Sequence, residues 1–167
     1  FWGLRKRLAK WTIYQADLIR TVSPKSFDIL ERRTIRARPY WLPITPQTRF
    51  SEATRRPEPG FIVTVGRLVP IKRHDLLLRS FAVFKQRRPD ARLVIIGDGP
   101  LRASLIELAC RLDIRSSVEF PGRTDPLPWL ERASMFSFLS SHEGWGVAAV
   151  EAAMVGVPVV MSDTGCA

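Results

Sequence analysis

Two groups of residues in this 167-residue chain have the types and spacing to do chemistry. The first is "GRLVPIKRHD", starting at Gly66, where an apolar run ends in a glycine and two cations follow, Arg67 and Lys72. Two fixed cations five residues apart suit a diphosphate, because each takes the charge of one phosphate. A pair of solvated surface cations is the alternative. The second is "SHEGWGVAAVEAAM", residues 141–154, in which His142, Glu143, Gly144, Trp145 and Gly146 precede a helical pattern. The first turn of a helix presents unpaired N–H groups and a partial positive charge, and glycines let a ligand approach them, so Gly144, Gly146 and Val147 form a ready anion or hydroxyl site. Val147, Val150 and Met154 fall at i, i+3 and i+7 and read as the buried stripe, with Glu151 beside it. A carboxylate in that position is costly unless it holds hydrogen-bond donors, and the vicinal hydroxyls of a ribose are suitable ones. A stripe-edge carboxylate that reaches water is the alternative. Glu143 and Glu151 lie at opposite ends of about two helical turns. That separation fits two parts of one extended ligand and fits neither a metal pair nor two carboxylates sharing a proton.

A third loop, "GDGPLR", residues 97–102, invites comparison with the dinucleotide fingerprint G-x-G-x-x-G, and Glu119 even supplies the acid that this fingerprint needs about 20 residues on. Arg102 stands where the third glycine belongs, and Pro100 removes a backbone donor where a phosphate would need one. Gly97 and Gly99 therefore read as a tight strand-to-helix turn that lets a flat ring approach the backbone, or as a plain turn. A nicotinamide-type oxidoreductase domain remains an alternative argued against by Arg102 and Pro100.

These loops need a scaffold. From Gly60 onward, apolar runs at 61–66, 92–97, 118–120, 135–140 and 157–162 alternate with helical patterns near 73–87, 101–112, 127–133 and 146–155. Leu76, Leu77, Ser80, Phe81 and Phe84 form one expected helical face, and Leu101, Leu105, Leu108 and Leu112 another. Strands apolar throughout, alternating with helices, imply an α/β, Rossmann-like open parallel sheet with helices on both faces. Such sheets bind ligands at the carboxyl ends of their strands, which puts the site in the loops after Val65, Ile96, Phe120, Leu139 and Met161. Ahead of this domain, residues 2–14 read as a basic helix, 16–23 as a short strand, and Ser23-Pro24 as the start of a helix running to about Arg33. Residues 37–46 are extended because three prolines forbid a helix, and 51–60 read as a polar connector. We expect 1–23 to be the remnant of a preceding domain, 24–59 a helix and crossing segment, and 60–167 an incomplete ligand-binding domain, the whole being a piece of a longer protein. No internal repeat stands out.

Hydrophobic residues at 46% and charged residues at 25% describe a globular chain. The net charge of +10 is uneven: residues 1–59 carry 13 Lys+Arg against 5 Asp+Glu, a balance of +8. A basic front of this kind is a solvated face or a contact with an anionic membrane surface. No recognisable nucleic-acid module accompanies it, so a nucleic-acid partner is not expected. Cys110 and Cys166 fit no metal-ligand spacing, and no apolar run reaches the length of a membrane span. A cytoplasmic protein, peripheral at the inner face of the membrane through its basic front, is the expected setting.

The blocks "VGRLVPIK", "ARLVIIGDGPLR", "VEFPGR" and "HEGWGVAAVEAAMVGVPVVMSDTG" occur in the order found in the donor-binding half of retaining GT-B glycosyltransferases, and the chain resembles the family 4, or group 1, type of that class. The E-x7-E pattern from Glu143 to Glu151 is its signature. "ADLIRTVS" matches the last strand of the acceptor domain, while "YWLPI" replaces the usual "IPNGVD" of the crossing, keeping Pro43 but not the Asn-Gly turn. The resemblance implies transfer of a sugar from a UDP-, GDP- or ADP-sugar to an unknown acceptor (a glycan, lipid-linked sugar or small molecule) with retention of configuration. It implies that Arg67 and Lys72 grip the diphosphate, that Glu151 holds the ribose, and that Glu143 contacts the transferred sugar beside the amides of Gly144–Val147. It implies that Gly97, Gly99, Gly122 and Arg123 border the base, that His142 orients the sugar, and that Trp145, where Phe is common, packs under the loop. No metal or other cofactor is required in such a site, because fixed cations and helix amides stabilise the leaving diphosphate. A non-catalytic nucleotide-sugar-binding remnant has the same fold and is the second reading.

Overall fold

The computed structural model describes residues 15–21, 24–32, 38–42, 44 and 46–163. The expected helix over 2–14, the capping Ser23, Pro43 and Cys166 lie outside the described residues. The chain divides into two compact units, one made of 1–45, 143–145 and 165–167, the other of 46–142 and 146–164.

In the first unit, β1 (Leu18–Thr21) and β2 (Arg38–Trp41) pair in parallel with Leu18 opposite Arg38, and α1 (Pro24–Glu31) lies between them in sequence. Pro24 opens the helix, where its missing N–H costs nothing. Of the stretch expected to be extended, 37–46, the residues of β2 form a true strand. Thr21 donates from Oγ1 to the Tyr40 carbonyl at 3.2 Å, and the Arg20 guanidinium donates to the Leu42 carbonyl at 3.3 Å.

The second unit holds a five-stranded parallel sheet in the order β5-β4-β3-β6-β7, formed by β3 (Phe61–Val65), β4 (Arg92–Ile96), β5 (Val118–Gly122), β6 (Met135–Phe138) and β7 (Val159–Met161). The helices are α2 (His74–Arg87), α3 (Arg102–Arg111), α4 (Leu127–Arg132) and α5 (Val147–Met154). Ile62, Leu93, Ile95, Val118 and Phe120 face α2 and α3 in one core. Phe61, Val63, Val94, Ile96, Phe136 and Phe138 face α4 and α5 in the other. Period-2 alternation along strands that are apolar at every position is what two covered faces demand. Each fully buried side chain of this kind contributes roughly 1.5–3 kcal/mol.

Two helix faces differ from the sequence reading. On α2 the buried residues are His74, Leu77, Leu78 and Phe81, while Ser80 and Phe84 are exposed and Leu76 is half-buried. The run Leu76-Leu77-Leu78 fits either of two stripes, and a polar His74 hid the start of the true one. On α5 the buried residues are Ala149 and Ala152, with Val147, Val150 and Met154 only half-buried. This helix lies close over β6 and β7, and small side chains permit that approach.

The polar connector belongs to the second unit from Pro46 onward, earlier than the boundary at Gly60 drawn from texture. Arg55 explains why: its guanidinium donates to the Gly156 carbonyl at 2.7 Å and the Ala133 carbonyl at 2.9 Å. The Arg56 and Glu58 amides bond to the Glu131 and Arg132 carbonyls. At the outer strand β5, Arg115 donates to the Val118 carbonyl at 2.8 Å and Arg102 to the Phe120 carbonyl at 2.9 Å.

The sheet's order splits at β3: β4 and β5 lie to one side, β6 and β7 to the other. The loops after β3 and β4 meet at very close range. Gly97 has φ +140, and a Cβ there would stand 1.9 Å from the Gly66 carbonyl oxygen; one at Gly99 would stand 2.5 Å from the Leu68 oxygen. A Cβ on Gly122, φ +81, would meet nothing within 4 Å. Gly97→Ala therefore destabilises by about 3 kcal/mol or more, through strain and a backbone clash that no rotamer relieves, whereas Gly122→Ala costs about 1–2 kcal/mol from its dihedral alone. Urea unfolding of the two variants measures the difference, and equal midpoints would refute it.

Candidate functional site

The split in strand order creates a crevice at the carboxyl ends of β3 and β6, where parallel α/β sheets receive their ligands. Four loops close round it. The Gly66 amide donates to the Ile96 carbonyl, Leu68 to Asp98, Leu101 to Leu68, and Gly97 to Gly122, at 2.8–3.1 Å. From the other side, the Ser141 amide donates to the Ile71 carbonyl at 2.9 Å. These bonds satisfy main-chain groups that a buried loop would otherwise leave unpaired.

Arg67 and Lys72 are carried by this network. Arg67 is exposed at the mouth of a cavity of about 200 Å³, lined by Val65, Gly66, Ile96, Gly97, Asp98, Arg123 and Thr124 as well. Arg67, assigned to the phosphates, and Gly97 and Arg123, assigned to the base, thus share one concavity with Gly66. At Gly97 and Gly99 the space that a Cβ would need is filled by the backbone of the β3 loop, which makes the strand-to-helix turn as tight as the sequence reading had it. Lys72 closes a 3-10 turn over Pro70–Lys72. Its stem lies 3.6 Å from where a Gly66 Cβ would be, and its ammonium sits 5.1 Å from the centre of the Phe138 ring, a cation–π contact that fixes its place.

The chain leaves this turn through Arg73, a non-glycine residue in the left-handed region at φ 51. It enters α2 at His74, whose side chain is only 4% exposed. The His74 ring donates to the main-chain carbonyl of Arg67, and its Nε2 is buried without a partner. Burial pushes the imidazole down to about 4, against the opposing pull of that hydrogen bond, with Lys72 lowering it further. His74 is a neutral ring behind the loop that carries the two cations, and no motif in the sequence marked it.

On the other strand ends, Gly146 caps α5 in the left-handed conformation, φ 72, without any side-chain cap. Glu151 is half-buried on this helix, and loss of solvent raises its carboxyl above the usual range; the nearby Arg49 opposes that rise and Asp125 adds to it. Arg49 and Asp125 form a two-pronged ion pair, 2.7 and 2.9 Å, across 76 residues of sequence. The guanidinium holds the Asp125 carboxyl below its ordinary value, with help from the Leu127 amide. Neither residue was predicted, because the connector and the β5 loop share no local spacing that would relate them. Ser141 and His142 are exposed at the end of the β6 loop. Glu143, Gly144 and Trp145 group with the first unit, so the second unit assembles Gly66, Arg67, Lys72, Gly97, Gly99, Gly122, Arg123, His142, Gly146, Val147 and Glu151 by itself. Among the described residues no cluster of three His, Cys, Asp or Glu could hold a metal ion, and no helix is long and apolar enough to cross a membrane.

A wider cavity of about 490 Å³ lies at β5, lined by Arg92, Arg115, Arg132, Glu119 and Trp129 among others. Its guanidinium groups are engaged: Arg92 and Arg132 both bond to Glu58, and Arg115 to the Val118 carbonyl. The cations there are consumed by the fold.

Residues 46–167 match the family model described as "Glycosyl transferases group 1". The chain is 38% identical over 122 residues to the D-inositol 3-phosphate glycosyltransferase of Salinispora tropica, covering 65% of this chain and 25% of that one. It is 38% identical over 108 residues to an uncharacterized glycosyltransferase, YqgM, of Bacillus subtilis, covering 63% and 30%. Among solved structures it is similar to a TarM mutant of S. aureus in complex with fondaparinux, alpha-GlcNAc-glycerol and UDP, at a TM-score of 0.83 and 20% identity over 93% of this chain and 32% of that one. A sucrose-phosphate synthase from Thermosynechococcus elongatus gives 0.79 and 22% over 97% and 44%. The chain spans roughly a quarter to a third of the length of these curated relatives.

His74 makes a prediction about stability. Between pH 6.5 and 4 the unfolded chain binds a proton on this residue that the folded chain refuses, so the stability it contributes is present above 6.5 and is lost as pH falls toward 4. The loss amounts to roughly 3 kcal/mol. Urea unfolding at a series of pH values, compared with His74→Asn, should show the native slope flattened in the variant; parallel slopes would disprove it.

Proposed function

The chain belongs to the group 1 glycosyl transferases, and from that premise we propose that it supplies the nucleotide-sugar side of a sugar transfer that retains anomeric configuration. The observation that carries this reading is the braced loop that bears Arg67 and Lys72, with Arg67 at the mouth of the cavity shared with Gly66, Gly97 and Arg123. In the transfer, the bond between the sugar's anomeric carbon and the diphosphate oxygen breaks, and the acceptor hydroxyl oxygen forms the new glycosidic bond on the same face. The hydroxyl proton leaves with the diphosphate. Arg67 and Lys72 neutralise the charge that builds on that leaving group, and the open first turn of α5 adds partial positive charge. No metal is needed where two fixed cations do this work. Glu151 accepts hydrogen bonds from the ribose, Glu143 from the sugar, His142 orients the sugar, and Gly99, Gly122, Gly144 and Trp145 shape the loops. UDP, GDP and ADP are the candidate carriers, and the basic segment 1–59 is read as a peripheral contact with an anionic membrane on the cytoplasmic side, beside an acceptor that is a glycan, lipid-linked sugar or small molecule.

Arg67→Gln and Lys72→Gln should each weaken binding of the preferred nucleoside diphosphate about 10- to 100-fold, the size of one lost charge-assisted hydrogen bond, and leave the bare nucleoside unaffected. Calorimetric titration distinguishes the two, and unchanged diphosphate affinity would reject the site.

Glu151 gives a pH signature. Its carboxyl titrates above the usual range, so nucleotide affinity should fall on mild acidification; removing the Arg49 cation raises the carboxyl further. The midpoint of the affinity loss should therefore move to higher pH in Arg49→Gln, and Glu151→Gln should bind weakly at every pH. A midpoint that stays put in Arg49→Gln would contradict the assignment.

A further inference from the structure

His74 is the one deeply buried titratable ring among the described residues that the transfer chemistry leaves without a part. It is costly where it stands: its Nε2 is buried with no partner, and a leucine of similar size would fill the space without that loss. The residue before it, Arg73, is strained at φ 51 to turn the chain into α2 at this point. What the ring does achieve is a hydrogen bond to the main-chain carbonyl of Arg67, which already accepts the Val69 amide at 2.9 Å.

We propose that His74 is a positioning residue that fixes the Arg67 main chain and thereby the spacing of the Arg67–Lys72 cation pair for a diphosphate. The proposal rests on the donor-site reading above. The two cations have independent anchors. Lys72 is held by Phe138 and by the smallness of Gly66. The loop is also tied at Gly66, Leu68 and Ile71 by bonds to Ile96, Asp98 and Ser141. Arg67 lies between the first two ties, exposed, and its own carbonyl is where the ring attaches. Loss of that donor leaves the Arg67 carbonyl with the Val69 amide as its one remaining donor, opposite the Leu68 amide that stays bonded to Asp98 on the far side of the same peptide, so the peptide can tilt about that bond and carry the guanidinium with it while Lys72 stays. A neutral ring suits the task, because a third charge beside Lys72 and the Asp75 carboxylate would disturb the pair it aligns.

The test uses the 167-residue chain with His74→Leu, which keeps bulk and loses the donor, and His74→Asn, whose amide stands where Nδ1 did. His74→Leu should raise hydrogen exchange at the amides of Leu68 and Val69 about tenfold while those of Lys72, Ile62–Val65 and Leu93–Ile96 keep their protection. It should weaken inorganic pyrophosphate and the preferred one of UDP, GDP and ADP about tenfold, with the matching nucleoside unchanged. His74→Asn should restore both readouts to within threefold. Equal loosening of strands and loop, or a His74→Asn no better than His74→Leu, means that the ring is structural and overturns the proposal. Native binding that His74→Leu leaves intact overturns the positioning role alone. A native chain that binds neither pyrophosphate nor any of the three diphosphates overturns the donor reading and the role with it.

Discussion

The second unit depends on one contact between two stretches of main chain. The loop leaving β3 runs so close to the loop leaving β4 that only hydrogen fits on the α-carbons of Gly97 and Gly99. Four amide–carbonyl bonds close around that contact and link the ends of β3, β4 and β5. Because the loops are welded to each other, the Arg67 and Lys72 cations project from a fixed base and not from a free surface segment. Preorganised charge of this kind is worth most in catalysis, since nothing has to be rearranged when negative charge develops.

The second unit spends its charge in two ways. At the connector, arginines are structural: Arg55 laces 46–60 to the ends of α4 and α5, Arg49 forks onto Asp125, and Arg92 and Arg132 stack on Phe61 while sharing Glu58. At the crevice, Arg67 and Arg123 line a concavity and Arg67 stands exposed at its mouth. An arginine-rich composition by itself could not separate these uses.

Much of the scaffold was legible from periodicity. All five strands from Phe61 onward and the four helices between them lie where apolar runs and helical patterns put them, and the two-faced burial follows from strands that are apolar throughout. The facing of α2 and α5 was less legible. Three leucines in a row leave the helical phase open, and alanines signal close packing only once the neighbouring sheet is known. At Gly97 and Gly99 the tight turn was legible, while the close approach of the β3 loop that demands glycine there was not. Arg49 and Asp125 were invisible because their partnership exists only in three dimensions. His74 looked like one polar residue at a helix start, and its burial depends on a strained Arg73 that no composition rule announces.

The two arginines that donate to the carbonyls of Val118 and Phe120 have a consequence for how the sheet can grow. An incoming chain pairing along β5 would have to displace two charged donors before forming its first rung, and that makes this margin a sealed one. The opposite margin, β7, carries exposed Val160 and Met161 and no such guard among the bonds described. The two margins of one sheet thus differ in kind: at β5 the chain's own side chains occupy carbonyls that a neighbouring strand would need.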